Sequence, residues 1–89
     1  MDKSKRKTQM NTCLRNALNT IYYSSGITQE KLAEKLGISP RACSALQNGK
    51  YGFSAFSVVV LFSLLPVPER ILLLNKLCAI ILNPDEEAA

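Results

Sequence analysis

Between Thr28 and Lys50 the chain sets out Thr28-Gln29, then Ser39-Pro40-Arg41-Ala42, then Ser44-Ala45, and finally Asn48 and Lys50. Hydroxyls, carboxamides, one guanidinium and one ammonium in that order can donate to phosphate oxygens and to the edges of bases. Arg41 is the strong hydrogen-bonding side chain of the middle group; Pro40, Ala42 and Ala45 offer no polar atom beyond the backbone. Elsewhere the means of catalysis are missing. The chain has no histidine, no paired carboxylates in an ordered stretch and no glycine-rich phosphate loop. Its three cysteines, Cys13, Cys43 and Cys78, stand 30 or more residues apart, with no CxxC spacing. The sequence therefore predicts no catalytic residues, no metal ligands and no cofactor, and a protein that is not an enzyme. Cys43 and Cys78 lie among apolar residues and read as small hydrophobes in a reducing compartment.

Two short helices joined by a tight turn must carry these groups. Thr28 supplies an N-cap oxygen, Leu32, Ala33 and Leu36 an apolar stripe, and Gly37 the left-handed stop. Ser39-Pro40 opens the next helix with a cap and a proline at its first position. Cys43 and Leu46 face inward there, Ile38 is expected beneath both helices, and Asn48-Gly49 ends the second helix. Ahead of this pair, Met10, Cys13, Leu14, Ala17, Leu18, Ile21 and Tyr22 recur at helical spacing until Ser24-Ser25-Gly26 interrupts them. After it, Ser54 caps a helix over about 55–65, closed by Pro66 and Pro68. A last helix starts near Glu69 and runs to about Leu82, where Asn83-Pro84 stops it. No segment alternates like a strand. The expected architecture is all-α, a compact bundle of five helices.

The stretch GITQEKLAEKLGIS followed by LQNGK resembles the Xre/Cro-like helix-turn-helix family of bacterial and phage regulators, of phage-repressor type. The matching residues are Gly26, Thr28, Gln29, Leu32, Ala33, Leu36, Gly37, Ile38, Ser39, Ser44, Leu46, Asn48, Gly49, Lys50 and Ser54, within a likeness covering about 14–65. The resemblance implies sequence-specific binding of operator DNA as a dimer, with the helix over about 40–47 in the major groove. Gln29 matches the residue that contacts phosphate and braces that helix. Pro40, Arg41, Ala42, Ser44 and Ala45 fall where the family reads bases, Asn48 and Lys50 where the backbone is met again. Four positions depart from the pattern. Pro40 and Ala45 replace frequently polar readers, Gln47 a common glutamate, and Cys43 a branched apolar residue.

Charge agrees with a polyanionic partner. The net charge is +4 and the pI about 9.2. The acids Asp85, Glu86 and Glu87 mask a more basic body, in which eleven cations over residues 1–84 meet four acids. Lys3, Lys5, Arg6 and Lys7 crowd residues 1–9, read as a flexible basic arm that either enters a minor groove or stays solvated. The helix-turn-helix domain is assigned to 10–83 and an acidic tail to 84–89. The basic start is followed by no apolar leader, and Pro66, Pro68, Glu69 and Arg70 break the apolar run 58–82 short of a membrane span. No membrane association and a cytoplasmic location are expected.

The run ILLLNKLCAIIL from Ile71 is apolar almost all round the helix. A chain of 89 residues cannot fully bury such a helix alone, so about 69–82 is assigned to a homodimer interface through Ile71, Leu74, Leu77, Cys78 and Ile81; the alternative is that the helix folds back as the lid of the core with one side exposed. Two functions follow. The first is a small dimeric DNA-binding transcriptional regulator, a repressor on a palindromic operator. The alternative is a protein-interaction module, antitoxin-like or regulator-binding, that keeps the fold and docks another protein through this apolar helix.

Overall fold

A computed structural model describes residues 3–82, which form five helices: α1 (Lys3–Ser25), α2 (Gln29–Leu36), α3 (Pro40–Gln47), α4 (Ala55–Leu64) and α5 (Val67–Leu82). The acidic tail assigned to 84–89 lies outside the described residues. Among those described there is no strand, and the all-α five-helix reading holds.

Local chemistry fixes the ends of the elements as the sequence requires. Thr28 Oγ1 accepts from the Lys31 amide at 3.2 Å, Ser39 Oγ from Ala42 at 3.1 Å, and Ser54 Oγ from Ser57 at 3.1 Å, each satisfying an amide the helix leaves open. Gly37 stops α2 at φ +70°, while Ile38 N donates back to Ala33 O at 3.0 Å. A side chain there would pay the left-handed penalty and meet the Phe56 ring at 3.6 Å. The end of α4 is closed by an unforeseen donor: Arg70 Nε reaches Leu65 O at 2.9 Å and Nη2 reaches Ser63 O at 3.3 Å. A cation on last-turn carbonyls is favourable on both hydrogen-bond and dipole grounds.

One expectation fails at the N-terminus. Residues from Lys3 to Gln9, read as a flexible arm, are the opening turns of α1. Lys, Arg and Gln are good helix formers and no Gly or Pro intervenes. Thr8 and Thr12 hydroxyls also donate to the carbonyls of Ser4 and Thr8, each at 2.9 Å. Apolar periodicity begins only at Met10 because burial begins there, and helicity does not need burial.

The core comprises Leu14 and Leu18 of α1, Leu32, Ala33 and Leu36 of α2, Cys43 and Leu46 of α3, Leu61 and Leu65 at α4, and Leu73 and Leu77 of α5. α1 packs on α5, α4 and α3, and α2 crosses α3 and α4. Ala33, 1% exposed, allows the close crossing of α2. Ile38 is half-buried rather than enclosed.

Helix α5 corrects two sequence readings. Leu73, Leu77 and Ile80 face the chain's own core, so Leu77, at 8% exposure, is a core residue and unsuited to the interface expected of it. Cys78 is exposed and no core hydrophobe. The helix divides into an inner seam at 73, 77 and 80 and an outer seam at Val67, Ile71, Leu74, Cys78 and Ile81, all exposed. The outer seam's 4-3-4-3 spacing is that of coiled-coil packing positions.

Candidate nucleic-acid interface

Seven of the ten groups singled out in the sequence line one open cleft of about 440 Å³: Gln29, Pro40, Arg41, Ser44, Ala45, Asn48 and Lys50. The remaining three stand apart for identifiable reasons. Thr28 and Ser39 turn their oxygens back onto helix amides, which leaves each hydroxyl proton available. Ala42 is half-buried, and its carbonyl accepts from Tyr51 Oη at 3.1 Å.

Arg41 and Lys50 are exposed. Neither side chain forms a hydrogen bond with the described residues, so both heads are free to meet an anion or a base edge. Asn48 Nδ2 lies 3.4 Å from Ser44 Oγ, one turn away on the same face. The Lys50 backbone amide donates to Ala45 O at 2.9 Å, which fixes the root of this side chain at the foot of α3.

Behind the cleft lies a carboxamide network that joins three helices. Gln29 Nε2 of α2 donates to Gln47 Oε1 of α3 at 2.8 Å. Gln47 Nε2 donates to Asn19 Oδ1 of α1 at 3.2 Å, and Asn19 Nδ2 returns to Gln47 O at 3.1 Å. Replacing the usual glutamate by Gln47 supplies the donor that Asn19 accepts. Gln29 is thereby joined to α3 through Gln47. The buried Cys43 thiol, 3.8 Å from Gln47 Oε1, is held protonated as burial pushes its pKa up.

Three residues around this site escaped the sequence reading. Asn19 sits among polar residues on an amphipathic helix and carries no distinguishing signal. Tyr51, which ties the loop after α3 to Ala42, was signalled only by an aromatic ring following NGK. Arg15 lies with its guanidinium over Gly49, whose φ is +77°; glycine there serves both the turn and the close approach.

A profile of the helix-turn-helix family matches residues 24–72, a span containing α2, the turn, α3 and all seven cleft residues. This chain belongs to the helix-turn-helix family. No protein of curated function and no solved structure matches it. Membership makes the helix-turn-helix protein a DNA-binding regulator, and the α2–turn–α3 unit is the element by which such a fold presents a ridge to a groove about 12 Å wide. Among the described residues no helix is long and apolar enough to cross a membrane.

Proposed function

We propose that this protein is a transcriptional repressor that binds a palindromic operator as a homodimer, with α3 in the major groove. The observation that carries the reading is the convergence of Arg41, Ser44, Asn48, Lys50 and Gln29 on one exposed cleft. Arg41 reads guanine through its N7 and O6, and Ser44 adds a weaker contact. Ala42 and Ala45 meet thymine methyls beside Pro40. Thr28 and Gln29 at the start of α2, Ser39 at the turn, and Asn48 and Lys50 below α3 hold the phosphates.

Energetics favour two copies. A bidentate arginine–guanine pair discriminates by about 1–3 kcal/mol, whereas specific sites exceed random DNA by about 4–10 kcal/mol. A single Arg41 falls below that range, and a pair enters it. The outer seam of α5 supplies the means, since Val67, Ile71, Leu74, Cys78 and Ile81 can interdigitate with the same residues of a second copy across a two-fold axis. That axis would set two α3 helices one turn of DNA apart, ~34 Å. Such a protein acts where the DNA is, in the cytoplasm. The same exposed seam supports a second reading, in which α5 docks a different protein and the fold serves as its carrier.

Selection of binding sites from a random duplex pool at two salt concentrations tests the proposal. Enrichment of a two-fold symmetric site with guanine in each half, bound with a steep salt slope, is the expected result. A folded, dimeric protein that enriches no sequence would overturn it in favour of the protein-docking reading.

A further inference from the structure

We propose that the first turns of α1 form, with Lys50, a phosphate-binding rail that extends the DNA contact beyond the ends of α3; this rests on the DNA-binding reading above. The rail begins where the reading cleft ends. Asn48 and Lys50 border that cleft, and the Arg15 guanidinium lies over Gly49 between them. From Arg15 a line of residues at 3-4-3 spacing, Lys5, Thr8, Thr12 and Arg15, follows one face of α1. Thr8, Thr12 and Arg15 line a groove shared with Gly49, Tyr51 and Gly52, in which no acidic side chain takes part.

The joint between the rail and the reading helix is rigid. Phe53 N donates to Asn11 Oδ1 at 3.1 Å, Gly52 packs directly against the Asn11 carboxamide, and Tyr51 ties back to Ala42. Cations on α1 are thus carried at a fixed offset from α3. Between Lys5 and Arg15 the axial rise is ~15 Å, enough to pass several phosphates along one strand.

The chemistry of the segment selects an anion. Helix α1 contains five cations, Lys3, Lys5, Arg6, Lys7 and Arg15, and no acid, in particular none in its first turn. Cations at a helix N-terminus oppose the macrodipole, and an external anion relieves both. The Thr8 and Thr12 hydroxyl protons are spent on helix carbonyls, which leaves Lys5 and Arg15 as the ligands. Being helical, the segment cannot enter a minor groove: a helix is ~10–12 Å across and the groove ~6 Å wide. The backbone is what it can meet.

The test measures affinity for a 30-base-pair mixed-sequence duplex across a salt series, for the full chain and three variants. Lys5→Gln should lower the slope of log K against log salt by about 0.9, and Lys5→Gln with Arg15→Gln by about 1.8, with the selected sequence preference unchanged. Lys76→Gln, on the α5 side of α1, should leave the slope alone. Slopes for Lys5→Gln and the double variant equal to that of Lys76→Gln would overturn the rail while leaving the DNA reading intact. An unmutated chain without salt-dependent binding to this duplex would overturn both.

Discussion

At the scale of single residues, the reading face divides its labour unequally. Arg41 is exposed in a cleft whose other α3 lining is Pro40, Ser44 and Ala45, so the proposed reading rests sequence preference mainly on one side chain. Arg41→Ala should cost about 1–3 kcal/mol on the selected site and almost nothing on random duplex, read by competition titrations. Lys50→Ala should weaken both alike and lower the salt slope by about 0.9. Gln47 acts through others: Gln47→Leu would leave the Gln29 and Asn19 carboxamides without their partner, costing about 1–3 kcal/mol in urea unfolding. A loss confined to DNA affinity, with stability untouched, would show that the network holds no helix in place. The reading cleft was largely legible because capping and turn residues announce themselves by type. Asn19 and Arg15 were not, since their roles depend on a meeting of α1 with α3 that no local pattern encodes.

At the scale of elements, the α2–α3 crossing depends on small volume and a neutral interior. Ala33 is buried where the two helices approach, and Ala33→Leu would overpack it by about 1–3 kcal/mol, seen as a lower thermal midpoint. Beneath the crossing lies Cys43, fully buried, with its thiol pKa raised above the 9.0 of a free thiol by desolvation. The folded state therefore holds the proton more tightly than the unfolded chain. Its contribution is complete below pH 9.0 and is lost as pH climbs through the raised folded value. Urea midpoints of the wild type should fall from pH 8 to pH 10 more steeply than those of Cys43→Ala; parallel curves would contradict this. Helix ends were readable in the sequence to within a residue or two because Thr28, Gly37, Ser39 and Ser54 act locally. The opening of α1 was not, because propensity without amphipathicity leaves no periodic trace.

At the scale of the whole molecule, α5 presents two seams that composition could not separate. Sequence alone showed an apolar circumference; only packing assigns Leu73, Leu77 and Ile80 inward and Ile71, Leu74, Cys78 and Ile81 outward. The two seams predict opposite outcomes for the same chemistry. Leu74→Lys should yield a folded monomer by sedimentation with operator affinity sharply reduced, whereas Leu77→Lys should unfold the chain, since it buries an unpaired charge. A dimeric Leu74→Lys protein would move the interface elsewhere. The aromatic residues give a means of watching these events apart. The chain has three tyrosines and no tryptophan: Tyr51 is bonded to α3, and Tyr22 and Tyr23, edge to face at 5.1 Å, border the recess shared by Gln29, Ser44 and Asn48. All tyrosine absorbance and emission thus originate around the helix-turn-helix and none along α5. Tyrosine light should change when DNA docks and stay constant when two copies associate, so the unlabelled protein reports one equilibrium and is silent to the other.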